Sequence, residues 1–216
     1  MSKVDVLDSP NIVPLDYRNQ KQVHAMAKLH EELLGGPIPQ LGYQFMTKFY
    51  YSKLIKTELI KCDLYKHEDK YVAFSVYTKY PFTFMEEGKR RFFLYLCYLI
   101  SKSVIMDPRR LKTIFQVTQM NSKRVINKDE DNVGDLISFG VLEKYTKLKD
   151  EASGLRISNL LFERTAEYFR KNGFLRMQGT VGKDNKPAIY MWLSRGAKIT
   201  NDNWGGEDSY IVSYTL

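Results

Sequence analysis

Gly154–Gly173 reads GLRISNLLFERTAEYFRKNG, and the rest of the chain is organised around it. Apolar or half-apolar residues at Ile157, Leu160, Leu161, Thr165, Tyr168 and Phe169 recur at helical spacing. Asn172-Gly173 is the ending expected where the last residue takes a left-handed conformation. The spacing predicts a helix opened by a glycine, with small and polar residues (Asp150, Glu151, Ala152, Ser153) ahead of it. The first turn of such a helix presents backbone N–H groups to an anion. Taken alone, the stretch asks for no more than an amphipathic helix packed on a sheet.

Working outward, a strand is expected at Asp135–Val141 before this helix and another at Phe174–Val181 after it. Strands joined by a full-length helix are normally parallel neighbours, with a ligand crevice at their carboxyl ends. Asn185–Ser194 reads as a short helix and Asp208–Leu216 as a final strand. Upstream, Asn11–Leu15 is a short strand, Tyr17–Leu34 a helix ended by Gly35-Gly36-Pro37, and Tyr43–Lys56 a second helix. Glu58–Tyr65 and Tyr71–Tyr80 form a hairpin turning through His67-Glu68-Asp69-Lys70. Pro81–Gly88 is expected to be a break, Lys89–Lys102 a helix, Arg109–Gln119 a short helix capped by Asp107-Pro108, and Met120–Asn132 a loop. The expected class is α/β (α+β), a single domain over residues 1–216 with a helical insert at about 84–119.

Composition narrows the function classes. At 216 residues the chain can bury a sizeable core. The start, MSKVDVLDSP, lacks an export pattern, and the longest apolar run, Phe92–Ile100, is about half of the ~20 residues a bilayer span needs. A cytoplasmic protein is expected. Cys62 and Cys97 sit in apolar surroundings without metal-ligand spacing and read as buried thiols. His24 and His30 are at the wrong offset to share a helical face, so no metal is assigned. A net charge of +8 implies anionic company: nucleic acid, an anionic membrane surface, or a phosphorylated small molecule or cofactor. The insert, with Lys89, Arg90 and Arg91 beside aromatics, leaves a peripheral membrane contact and a homodimer open.

Two motifs carry a family resemblance. Glu151-Ala-Ser-Gly154-Leu155-Arg156 stands where the pattern R/Q-x-x-G-x-G/A precedes a helix, and keeps its central glycine. Asn185-Lys-Pro-Ala188-Ile-Tyr-Met-Trp192-Leu-Ser-Arg-Gly196-Ala197 follows N-x-x-A-x-x-x-Y-x-x-x-G-F at Asn, Ala and Gly, with Trp192 in the tyrosine position. Together with the element order, these resemble the GNAT superfamily of N-acyltransferases, which move an acyl group from a coenzyme A thioester to an amine. The resemblance implies a mixed, mostly antiparallel sheet with a parallel pair at the cofactor crevice, flanked by helices.

It further implies acetyl-CoA as acyl donor, met by Val141, Gly154, Leu155, Arg156, Ile157, Asn185, Ala188 and Trp192, with a small-molecule amine, such as an amino sugar, as acceptor. Some family members place a carboxylate base where Asp135 stands. Strand alternation puts Asp135 and Val141 on one face. Glu143 and Tyr145, just past the strand end, are alternative proton carriers. Trp192 has no proton to lose near neutral pH and cannot be the acid. Two other readings stay open: a basic nucleic-acid-binding module using Lys89–Arg91, Arg109, Arg110 and Lys112, and a catalytically silent protein of this fold.

Overall fold

The structure is a computed structural model and describes residues 9–34, 37–81, 83–106, 132–201 and 209–216. The elements in order are β1 (Ile12–Pro14), α1 (Gln20–Leu33), α2 (Pro37–Gln40), and α3 (Tyr43–Phe45), which runs on as a π-helix over Met46–Leu54. Next come β2 (Lys61–His67), β3 (Lys70–Thr78), α4 (Phe84–Arg91), α5 (Phe93–Met106), β4 (Val133–Val141) and a 3-10 turn at Glu143–Tyr145. The chain continues through α6 (Ile157–Lys171), β5 (Arg176–Gly182), α7 (Lys186–Leu193), β6 (Lys198–Asn201) and β7 (Ser209–Thr215).

The strands form one seven-stranded sheet in the order β1-β2-β3-β4-β5-β7-β6. Among the described residues every pairing is antiparallel except β4 with β5. The mixed sheet and the parallel pair expected on either side of the 154–173 stretch are therefore both present. One face carries α1 and the π-helix, whose Met26, Phe49 and Leu54 pack on Phe74 and Val76. The other carries α6 and α7, whose Phe162, Phe169 and Trp192 pack on Tyr77, Leu136 and Met177. An Arg164 Nε to Asp63 Oδ2 contact of 3.3 Å ties α6 to β2, and the Tyr77 hydroxyl donates to the same oxygen at 3.0 Å.

Several expectations need correction. The hairpin turn contracts to Glu68-Asp69, because His67 already pairs with Lys70. The second helix is not regular: Ser52 Oγ donates to the Thr47 carbonyl at 2.6 Å and the turn widens to a π-helix. This buries the consecutive residues Tyr50 and Tyr51. The Tyr51 hydroxyl meets His30 Nδ1, and burial lowers the His30 pKa to about 4, so the imidazole is neutral at pH 7.

The Pro81–Gly88 segment is not a break throughout, since α4 starts at Phe84 and runs to Arg91. Gly88 serves close packing rather than helix termination: a Cβ there would meet Leu54 Cδ2 at 2.5 Å. The interruption falls instead at Phe92, so the single helix expected over Lys89–Lys102 is two. On α5, Leu96 and Leu99 are buried while Phe93, Leu94 and Tyr98 are exposed. Cys62 is buried as expected, but Cys97 is exposed on α5. Among the described residues no helix is long and apolar enough to cross a membrane. The helix expected over Arg109–Gln119 and nearly all of the Met120–Asn132 loop lie outside the described residues. Strand β6, a short segment without alternation, was not anticipated.

Trp192 is a packing residue. It is 3% exposed, its ring meets Phe162 edge-on at 5.2 Å, and it covers Gly179, where a Cβ would stand 2.6 Å from Trp192 Cζ2. A β-carbon at 179 must therefore displace the indole, an overpacking cost of about 1–3 kcal/mol. Gly179→Ala is expected to lower the urea midpoint with an unchanged m value, whereas a wild-type midpoint would show that α7 yields freely.

Candidate active site

The site begins with a bend in β4. Asp135 faces Thr78 and Leu136 faces Tyr77 on β3, but Val76 faces Ser138, leaving Ile137 as an extra residue. A bulge of this kind kinks its strand and re-aims the side chains beyond it. Below the bulge β4 pairs with β5 only at Val133–Arg176, Gly134–Met177 and Asp135–Gln178. Above it β4 follows β3 as far as Val141, and β5 follows β7 as far as Gly182. The two strands part directly above Asp135, so among the described residues the edge of β4 from residue 136 to 141 has no strand ladder on its β5 side.

The bulge also overturns the alternation expected for this strand. Asp135 lies beside Thr78, on the face of Val76 and the π-helix, while Val141 lies beside Ala73, on the face of α6. Asp135 and Val141 thus point to opposite sides of the sheet. At the apex of the crevice Asp135 is 5% exposed, with half-buried Gln178 beside it in register and half-buried Ser138 just above. The alternative proton carriers are not brought to this point. Glu143 is exposed, and the Tyr145 ring packs edge-on against His67 of the β2–β3 hairpin at 5.4 Å.

The loop from β4 to α6 is organised by Asp150. Its carboxylate is buried and accepts from Ser9 Oγ at 2.7 Å, Tyr65 OH at 2.8 Å, the Ser153 N–H at 2.9 Å and Asn11 Nδ2 at 3.0 Å. Burial alone pushes this carboxyl up, but hydrogen bonds from Asn11, Ser9, Tyr65 and Ser153 outweigh it and lower the pKa to about 2.

Around Asp150 the backbone closes on itself. The Gly154 N–H donates to the Asp150 carbonyl at 2.8 Å, with Gly154 at φ +68°, and the Ile157 N–H donates to the Leu148 carbonyl at 3.2 Å. The Leu155 N–H reaches Ser153 Oγ at 3.3 Å. Gly154 therefore belongs to the loop, and the helix starts at Ile157 with Arg156 as its exposed N-cap. The expected donors at Gly154, Leu155 and Ile157 are committed within the loop. Among the described residues, the first-turn N–H groups left without a hydrogen-bond acceptor are those of Ser158 and Asn159. Glu151 is exposed.

On α7, Asn185 is the N-cap and its Oδ1 accepts from the Ala188 N–H at 3.2 Å, so these two residues hold each other. Tyr190 is 75% exposed. One residue that the motif treats as a spacer reaches the site: Arg195, just past α7, donates to Asn159 Oδ1 and to the Met191 carbonyl, with Cζ 4.8 Å over the Phe162 ring. Nothing in its spacing could have revealed this, because the contact depends on how α7 crosses α6.

Strand order, the one parallel pair among the described residues and the crevice between its strands are those of the GNAT fold. Among solved structures the chain is similar to PaiA N-acetyltransferase from Thermoplasma acidophilum in complex with coenzyme A, at 11% identity and TM-score 0.53, covering 95% of this chain and 99% of that one. It is similar to the NatC complex bound to Gag peptide and CoA, at 12% identity and TM-score 0.54 over 95% and 99%. It is also similar to Naa50 from Arabidopsis thaliana in complex with the bisubstrate analogue CoA-Ac-MVNAL, at 15% identity and TM-score 0.51 over 95% and 99%. At these identities the likeness is one of fold. No family model and no curated protein matches the sequence.

The Asp150 cluster gives a pH prediction. Its folded pKa lies below the ordinary carboxylate value of about 3.9, so the stability it contributes is present above pH ~4 and lost as pH falls towards about 2. Asp150→Asn should lower the melting temperature at pH 7 and flatten the loss between pH 4 and 2. A variant that keeps the wild-type acid slope would place the titrating group elsewhere.

Proposed function

We propose that the chain is an N-acyltransferase that takes an acetyl group from acetyl-CoA and delivers it to the amine of a small molecule. The observation that carries this reading is the parting of β4 from β5 immediately above Asp135, with the Ser158 and Asn159 amides at the open end. A slot of this shape suits a ligand that is extended at one end and anionic at the other. Peptide-like groups of the pantetheine arm find partners along the unladdered edge of β4 from 136 to 141, where main-chain donors and acceptors otherwise need water. The pyrophosphate suits the α6 first turn, where free N–H groups and the helix dipole favour negative charge.

The thioester supplies an activated acyl carbon. The residues of the chain then account for the rest. Asp135, on the face of α1 and the π-helix, takes the proton from an acceptor amine entering on that side. As the amine nitrogen bonds to the acyl carbon, main-chain N–H groups beside the Ile137 bulge face the developing oxyanion. The carbon–sulfur bond then breaks, leaving an amide and a thiolate. A thiolate is a good enough leaving group that no side-chain acid is required. Trp192, buried against Gly179, takes no part. Amino sugars are one acceptor class of the right chemistry. The acetyltransferases of the same fold crystallised with CoA support the donor assignment.

Melting in the presence of CoA tests the donor: at a hundredfold excess over Kd a single site adds about 2.7 kcal/mol of stability. A melting curve indifferent to saturating CoA sinks the reading. Release of free thiol from acetyl-CoA across a panel of small amines tests the reaction. Asp135→Asn should then cut turnover by ~10²-fold or more while leaving CoA affinity alone. Turnover and pH profile equal to wild type would remove Asp135 from the chemistry, and CoA binding without thiol release for any amine would favour a silent protein.

A further inference from the structure

We propose that Arg195 supplies the cation for the cofactor's pyrophosphate in this chain, from the end of α7 rather than from the loop before α6. The inference rests on the acyltransferase reading above and concerns how its phosphate site is charged. The loop side chains are unsuited to the task. Glu151 carries the wrong sign and is exposed, and Arg156 is an exposed N-cap. Asp150 adds a second carboxylate, directed inward to Ser9, Asn11 and Tyr65. The α6 first turn thus has free amides but no cation on its own element positioned by the fold.

Arg195 is positioned. Its Nη2 donates to Asn159 Oδ1, on one of the two residues whose N–H is free, and its Nη1 donates to the Met191 carbonyl. The guanidinium plane is steadied by the Phe162 ring, 4.8 Å from Cζ. These contacts use two of the five N–H donors of a guanidinium, leaving the remainder of the fork for an anion. Among the described residues no carboxylate lies within ion-pair distance of Arg195. Its charge is held half-buried, and burial lowers its pKa, with Glu163 acting in the opposite direction. An anion at the Ser158 and Asn159 amides would offset that desolvation.

The alternative is that Arg195 merely ties α7 to α6. Two ligands that share a pantetheine arm separate the cases: acetyl-CoA, and acetylpantetheine, which has no pyrophosphate. Arg195→Gln should weaken acetyl-CoA binding about tenfold or more, as loss of a charge-assisted hydrogen bond does, and should lower the salt dependence of binding. Acetylpantetheine affinity should be unchanged, and Arg195→Lys should fall between the two for acetyl-CoA. Equal acetyl-CoA affinity in wild type and Arg195→Gln overturns the assignment. So does an equal loss for both ligands, the signature of a helix tie. If Arg195→Gln does not fold, the Lys variant decides by the same ratio of the two ligands. Failure of the unaltered chain to bind acetyl-CoA overturns the acyltransferase reading and this assignment with it, whereas binding that Arg195 does not influence overturns this assignment alone.

Discussion

One extra residue in β4, Ile137, separates two halves of the sheet that would otherwise be continuous. Without it β4 would keep its ladder with β5, the edge from 136 to 141 would be satisfied by backbone, and Asp135 would share the face of Val141. With it, the edge is open, the carboxylate turns towards α1 and the π-helix, and a buried acidic group stands at the apex of a crevice. Leaving a main-chain N–H or C=O unpaired in a buried place costs about 1–3 kcal/mol. An open edge therefore persists where water or a ligand meets it.

The two helices of the opposite face close the crevice in different ways. α6 is tied to the N-terminal segment by Asp150 through Ser9 and Asn11, and to β2 by Arg164 on Asp63. Its N-terminal end is therefore anchored, while the Ser158 and Asn159 amides have no hydrogen-bond partner among the described residues. α7 is pressed onto the sheet by Trp192 over Gly179, and that packing carries Arg195 to Asn159. The side chain at the tyrosine position thus contributes indirectly, by setting the height at which α7 crosses α6. The departures from the family pattern at Glu151, Arg156 and Trp192 are then parts of one arrangement, in which charge is delivered from α7.

The fold was legible where a periodic pattern met a large packing surface. Ile157, Leu160, Leu161, Thr165 and Phe169 are fully buried, and the spacing that announced α6 is the spacing that packs it. The flanking parallel strands followed from chain connectivity. Features that depend on a single residue's position were not legible. Ile137 is an ordinary β-former whose extra place appears only against β3, and the same bulge undid the alternation argument for Asp135 and Val141. Gly88 looked like a helix breaker because its contact with Leu54 is invisible along the chain. The π-helix carries hydroxyl groups bonding back to carbonyls, Thr47 to Tyr43 and Ser52 to Thr47, which regular spacing does not report. At the site, the glycine of the loop motif is present, but its amide is bonded within the loop to the Asp150 carbonyl, a contact the motif does not report.

In the proposed function the free amides of the α6 first turn and the open edge of β4 form one ligand slot. An amide-resolved NMR titration of the isotope-labelled chain with CoA addresses it directly. The largest shifts are expected at the Ser158 and Asn159 amides and along residues 136–141, with the Gly154 amide moving little because it is already bonded to the Asp150 carbonyl. Shifts centred on Gly154 and Leu155, or confined to residues away from the crevice, would contradict it.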